Sequence, residues 1–459
     1  MPSLVAIEPL YRPAGFEIPI VLYDGPARLH ADGDRIYEGV GQLVFHWRRS
    51  PSIKWSFASN DAKAPRWPED VTPGAGQWLE LRDPTDGHGA RTDVVPWDNG
   101  PAESHTYRAS GRQPQGATAG SREGFSSVIV HIINFVDQLH AHRPTVETEA
   151  DGWRIIVARS ENTSKVLENL TELGGFGFTH VARIVRLDGS LFGFDDVLPV
   201  IEGLWYLLGF AAGAHIGTAL PVGLDEEGRV LGVLYRASIA DSFGSRLSWL
   251  DPTRVHDVGP LFAAWFRLER EPFWSSTIKR AMWKCVTANA TSPLDESVLT
   301  ALSCLELLAW AMLEVEERWL DLPRDGELSL AGRLRLLLRW AGIDPTIPPQ
   351  LTALAGLTKA DNNVTDGPSA LAWLRNRSVH PPKLPKSGAP GWPAAELLQE
   401  GWRLALEYAN LVILRLLGHS GEYGSRLHTE GRWMGSMTPV PWAEPYDRDA
   451  QPGGRGSLS

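Results

Sequence analysis

The spacing of apolar residues changes character near residue 276, and no single-layer architecture accommodates both sides of that change. Before it, short runs at 20–23, 41–47 and 53–57 alternate partly between apolar and polar residues and are separated by Asp, Gly and Pro turns. That is the period-two pattern of strands with one buried face. After it, Val298, Leu302, Leu305, Leu308, Met312, Val315 and Trp319 recur at steps of three and four, the stripe of an amphipathic helix. The pattern predicts an α+β multidomain chain, with a mixed, β-rich N-terminal region followed by a C-terminal all-α helical bundle.

At 459 residues the chain is long for one core, and two or three domains are expected. The sequence suggests a β-rich domain over 1–150, a mixed α/β domain over 151–275, a helical bundle over 276–430 and a tail over 431–459. Strand signals return at 126–135 and 153–159, after a stretch from 59 to 123 dense in Gly, Pro, Asp and Ser. That stretch reads as mostly loop, with a mobile segment around 104–121. A short helix over 163–175 leads into a strand carrying Val181, Ile184 and Val185, closed by the Asp188-Gly189 turn. Residues 195–208 read as helix and 229–236 as strand. Gly174, Gly175 and Gly177 lack the later glycine and lysine of a phosphate loop and read as a tight connection.

In the C-terminal part, Ser292-Pro293-Leu294-Asp295 is a helix opening with Ser as N-cap and Pro at the first position. Further helices are expected at 329–340, 349–357, 369–379 and 393–417, with Gly418 as the stop. Within the last of them, 406–413 reads as core with Glu407 at its boundary. After it, Glu422, Tyr423 and Arg426 either add groups to a cleft or belong to a segment tied down through Tyr423 and Trp433. The second reading is preferred, with a packed extended stretch to Pro445 and disorder beyond.

A net charge of −11 argues against a protein coated for duplex DNA. From 367 to 395, however, there is no acidic residue, and Arg375, Arg377, Lys383 and Lys386 give a local +4. Two cysteines, Cys285 and Cys304, without CxxC spacing suggest a reducing compartment and buried thiols. The N-terminus lacks a basic region leading into a long apolar core, so a cytoplasmic location is expected. The apolar stretch 197–220 is interrupted by Glu202 and His215 and reads as a buried helix or helix pair, not a membrane span. His131, His140 and His142 match no ligand pattern and read as a surface or turn cluster, so no metal and no cofactor are expected.

The chemistry-bearing run is Arg375-Asn376-Arg377-Ser378-Val379-His380, followed by Pro381 and Pro382. Two prolines lack amide donors and crowd the preceding turn, so His380 is expected at a helix end. An imidazole, with an ordinary pKa of about 6.5, can take a proton from a ribose 2′-hydroxyl or give one to a departing 5′-oxygen. Arg375 offers a fixed fork of donors for phosphate oxygens as charge grows on them. Asn376 can orient the imidazole or bind phosphate, and Ser378 has at most a minor role. Arg377, Lys383 and Lys386 are candidate substrate-binding residues, and Glu306, set between Leu305 and Leu307, is a candidate carboxylate for orienting Arg375. The alternative for Glu306 is solvent exposure at the edge of its helix's apolar face. In an ideal helix Arg375 and His380 stand about 140° apart, so the site needs a local break or a second subunit. The plainer alternative leaves both arginines on the surface and makes His380 a helix cap.

Arg375, Asn376 and His380 match the R-N-x-x-x-H motif of HEPN domains, and the helical region over 292–418 resembles their bundle. The layout also resembles prokaryotic anti-phage defence ribonucleases with a C-terminal HEPN domain. The resemblance implies a metal-independent endoribonuclease that leaves 2′,3′-cyclic phosphates and acts on RNA as a homodimer or higher homo-oligomer. Its N-terminal region would be a sensor or regulator, answering to a phage-derived activator. It also implies an alternative, a non-catalytic module that binds nucleotide, RNA or a protein partner.

Overall fold

Alternation governs the first strands: in β3 (Ser52–Ser59), Ile53, Trp55, Phe57 and Ser59 are buried while the residues between them face outward. The computed structural model describes residues 7–31, 35–59, 78–82, 89–93, 95–98, 107–112, 117–136, 145–160, 162–244, 246–290, 293–319, 328–380, 392–428 and 436–443. The chain is α+β and divides into two compact units, 1–290 and 291–459. Strands from both sides of residue 150 share one sheet in the first unit.

That sheet is antiparallel throughout. A long meander of β1 (Ile20–Ala31), β2 (Arg35–His46) and β3 forms one part. The other part is built from β9 (Ser127–Ile133), β10 (Val146–Ala150), β11 (Trp153–Arg159), β12 (Phe178–Arg186), β13 (Gly217–Leu224) and β14 (Val230–Tyr235). Between and beside them run β4 (Trp78–Arg82), β5 (Gly89–Asp93), β6 (Val95–Asp98), β7 (Tyr107–Arg112) and β8 (Ala117–Gly120). The Gly- and Pro-dense stretch expected to be loop thus carries strands wherever it is described. Their partners are distant in sequence, β1 for β4 and β3 for β7, and composition is blind to non-local pairing.

A sheet this wide curls, because twist accumulates across its strands. Leu29, Leu43, Phe45, Trp55 and Phe57 from the meander share one core with Ile133, Phe178, Leu220 and Tyr235. β9 is buried at every position, as expected of a strand covered on both faces. Helix α1 (Thr163–Leu173) packs on β12, and α2 (Phe194–Ala212) packs on β13 through a buried face that includes Val197, Ile201, Leu204 and Leu208. The apolar stretch 197–220 is therefore one buried helix running on into a strand. Helices α3 (Leu261–Glu269) and α4 (Pro272–Ala288) also belong to this unit, although the helical period starts here. Cys285 and Cys304 are both buried.

His131 is a correction. It is not part of a surface cluster but lies wholly buried in β9, while His140 and His142 fall outside the described residues. Its Nε2 accepts the backbone N–H groups of Leu10 and Tyr11 at 3.1 and 3.2 Å. Its Nδ1 donates toward the carbonyls of Ala219 and Leu220, at a bulge of β13 where Leu220 holds a φ of 47°. Both nitrogens are committed, so the ring is a neutral structural pin and not a metal ligand. Among the described residues no three or more His, Cys, Asp or Glu side chains are grouped so as to hold a metal ion. Burial pushes the His131 pKa down to about 4, outweighing the two carbonyls that raise it. The unfolded chain therefore binds the extra proton first, and the stability tied to His131 is complete above about pH 6.5. It falls as pH drops toward about 4, by roughly 3 kcal/mol in all. Urea unfolding of this unit between pH 7 and 4.5 should show that slope, and His131→Gln should flatten it. An unchanged slope in the variant would refute the assignment.

The second unit is helical. Helix α5 (Leu294–Trp310) runs on into a π-helical turn (Ala311–Glu316) in which Glu317 N–H donates to Met312 O. Around it pack α6 (Leu330–Ala341), α7 (Thr352–Ala360), α8 (Gly367–Val379) and α9 (Ala395–Leu416). The expected boundaries hold to within three residues; Ser292, the expected cap of α5, lies outside the described residues. Val298, Leu302, Leu305, Leu308 and Met312 are buried as the stripe predicts, but Val315 is half-buried and Trp319 is exposed past the end of the π-helical turn. Among the described residues Leu294–Glu316 is long and apolar enough to cross a membrane by length and composition alone, and more than half of its most apolar 18 residues are buried.

Candidate functional site

Helix α8 carries the polar run, and its start is fixed more firmly than its end. Asp366 is the N-cap: its carboxylate accepts the Ser369 N–H at 2.9 Å, and the Ser369 hydroxyl accepts the Asp366 N–H at 3.0 Å. Arg335 of α6 grips the same carboxylate with two bonds, at 2.5 and 3.0 Å, the paired geometry a guanidinium favours. Burial raises the Asp366 pKa, but the bonds from Arg335 and Ser369 outweigh it and hold it below the ordinary carboxylate range. Tyr408 of α9 donates to Pro345 O at 3.4 Å, and burial pushes its phenol well above the usual value. Gly401 of α9 has no side chain because Leu374 of α8 fills that space. The capping and packing residues come from α6 and α9, far from the polar run in sequence.

At its other end α8 is regular through Val379. His380 still donates its N–H to Asn376 O at 2.8 Å, but its own backbone turns to φ −129°, ψ 71°. The helix stops where the sequence places it, at the residue before two prolines. Because the break comes at His380 itself, Arg375 and His380 keep the helical separation of about 140°. Among the described residues no hydrogen bond or ion pair joins them.

The side chains divide accordingly. Arg375 lies 3.8 Å from Glu306 of α5, and the two side chains are 38% and 43% exposed. Glu306 is thus both partner and surface residue, and a pair this open is worth little in stability. Arg377 sits over the Trp373 ring with its guanidinium carbon 5.2 Å from the centroid. The Trp373 indole donates to Asp361 at 3.2 Å. Backbone and side-chain bonds from Asn363 hold Asp361 below the usual carboxylate range, with smaller contributions from Trp373 and Arg377. Asn376 and His380 are exposed. The Ser378 hydroxyl is buried, with no hydrogen-bond partner among the described residues. Lys383 and Lys386 lie outside the described residues. One chain therefore presents Arg375 on one side of α8, and Asn376 and His380 on another.

The sequence reading missed the status of Glu407. The sequence reads it as the boundary of the core stretch 406–413, yet it is 2% exposed. Its carboxylate accepts the Tyr423 hydroxyl at 2.8 Å, the Ser425 hydroxyl at 2.7 Å and the Arg426 N–H at 2.8 Å. These bonds fasten the segment after α9, where β15 (Glu422–Tyr423) pairs with β16 (Thr438–Pro439). Tyr423 is the expected tether, whereas Trp433 lies outside the described residues. Within α9 its neighbours Leu404, Leu406, Tyr408 and Leu411 are apolar, but Arg403 and Asn410 are not, so the helix alone does not disclose the burial. The π-helical turn was also not foreseen. It places Glu314 3.4 Å from Arg333 and Glu317 3.1 Å from the Trp340 indole, both partners on α6.

Residues 271–439 match the model of the YopA C-terminal domain, and residues 121–245 match that of the YopA central domain. The polar run of α8 falls inside the first match. The chain is 27% identical over 278 residues to the SPbeta prophage-derived uncharacterized protein YopA of Bacillus subtilis (strain 168). That alignment covers 60% of this chain and 61% of the relative. No solved structure matches.

Proposed function

We propose that the chain is a metal-independent endoribonuclease of HEPN type. The observation that carries the reading is α8: a capped, doubly anchored helix that presents Arg375, Asn376 and His380 at or near the surface, at a proline-stopped end. In this reading His380 moves the proton of the 2′-hydroxyl or of the departing 5′-oxygen. Arg375 gathers the charge that builds on the phosphate, and Asn376 orients ring or substrate. The substrate is RNA because the attacking hydroxyl belongs to the ribose. Since one helix turns Arg375 and His380 apart, the working site is a composite of two copies. Arg377, Lys383 and Lys386 supply positive charge along the bound strand, and Glu306 holds Arg375 in the resting protein.

The N-terminal unit then acts as sensor or regulator in a cytoplasmic protein, answering to a phage-derived activator. The prophage origin of the Bacillus subtilis relative supports a place in phage–host conflict. A second reading, a non-catalytic module that binds nucleotide, RNA or a protein partner, draws on the Glu306 pairing, which neutralises Arg375 in a single chain. Incubation with RNA in excess chelator separates the two. Wild-type protein should cleave, and Arg375→Ala should lose about 10²–10³-fold in rate, the usual cost of removing a donor to developing negative charge. Equal cleavage by the variant removes Arg375 from the mechanism.

A further inference from the structure

Two adjoining cavities open in the N-terminal unit, of about 630 and about 270 Å³, and both are lined by Phe16, Glu17 and Trp47. The smaller lies under the segment from Pro9 to Glu17, with Trp47 and Phe178 among its walls and α1 along one side. Partly buried bonds hold the overlying segment in place. His131 accepts the N–H groups of Leu10 and Tyr11, and Glu17 accepts the Phe176 N–H at 3.0 Å. Glu17 also holds a φ of 52°, a left-handed conformation that a non-glycine residue keeps only where its surroundings enforce it. The cavity is therefore built into the fold, as small-molecule sites usually are.

Its chemistry is specific. Tyr11 and Phe16 offer partly exposed ring surfaces suited to a planar group, backed by the buried rings of Trp47 and Phe178. Of the charged lining residues, Arg12 pairs with Glu8 at 3.2 Å, and Glu17 lies 3.8 Å from Arg48. Among the described residues Lys165 makes no ion pair, and it is exposed on α1 one turn before the amide of Asn169. We propose that this cavity binds a small aromatic anion about the size of a nucleoside monophosphate. Its ring lies among the aromatic side chains and its acidic group meets Lys165 and Asn169. A phosphate and a carboxylate share that chemistry, so the test must separate them.

Isothermal titration of the full chain answers this directly, using AMP, GMP, CMP, UMP, indole-3-carboxylate and inorganic phosphate in turn. At least one organic anion should bind with a Kd of roughly 100 μM or tighter, and inorganic phosphate at least about tenfold more weakly. Tighter binding of a nucleotide assigns a phosphate ligand, and tighter binding of indole-3-carboxylate assigns a carboxylate. Lys165→Glu should weaken the best ligand by about tenfold or more, and Asn169→Trp, which fills the cavity, should abolish binding. Both substitutions lie on the outer part of α1, and an unchanged unfolding midpoint verifies the fold. The inference is overturned if no probe binds at about 1 mM. It is equally overturned if inorganic phosphate binds as tightly as the organic anions, or if Lys165→Glu leaves affinity unaltered. No RNA enters the measurement, so the outcome stands whether or not α8 is catalytic.

Discussion

His380→Ala should lower the rate of RNA cleavage by about 10²–10⁴-fold, the range for removing a positioned acid or base. The unfolding midpoint of the helical unit should not move. His380 is exposed and ends its helix, and its one bond to α8, from its N–H to Asn376 O, is a backbone bond that alanine retains. Surface changes of this kind usually alter stability by less than about 0.5 kcal/mol. Kinetics and folding are thus cleanly separable at this residue. His380→Gln, which keeps a polar side chain but cannot shuttle protons, should be as inactive as alanine. If glutamine restores cleavage, His380 binds substrate and does not transfer a proton.

The largest stability effect is expected inside α9. Glu407→Ala removes the acceptor from the Tyr423 hydroxyl, the Ser425 hydroxyl and the Arg426 N–H at once, in a place with no access to water. Leaving a buried donor unpaired costs about 1–3 kcal/mol, and partial relaxation limits the total to about 3–5 kcal/mol. Glu407→Gln retains an acceptor oxygen and the side-chain volume, and it should lose about half as much. Denaturant unfolding followed by helical circular dichroism reads both values. A loss below about 1 kcal/mol for alanine would mean that the Glu422–Leu427 segment is not held through Glu407.

What the sequence disclosed follows from how far each interaction reaches along the chain. Val298, Leu302 and Leu305 announced the buried face of α5 because helical burial repeats every turn. Pro381 and Pro382 announced the end of α8 because their effect on backbone geometry is local. The clamp of Arg335 on Asp366 spans 31 residues and leaves no periodic trace. The same holds for β7, whose partner β3 lies some fifty residues earlier, and for α3 and α4, whose helical period says nothing about which core they join. Glu407 was misplaced for a different reason. A single carboxylate in the core stretch 406–413 reads as its edge, whereas the returning segment at Tyr423–Arg426 supplies the partners that bury it. The run from Arg375 to His380 was legible as a polar helix end, whereas the groups packed around it were only partly so. The sequence already pairs Glu306 with Arg375, and the two lie 3.8 Å apart; it leaves the placement of Arg377 over Trp373 unstated.

The proposed chemistry is most directly tested by the ends it leaves. RNA treated with wild-type protein in chelator should carry 2′,3′-cyclic phosphate and 5′-hydroxyl termini, and a strand with a single 2′-deoxy position should resist cleavage there. Cleavage that leaves 5′-phosphates, cleavage that proceeds at the deoxy position, or intact RNA under activating conditions would contradict an Arg375–His380 ribonuclease.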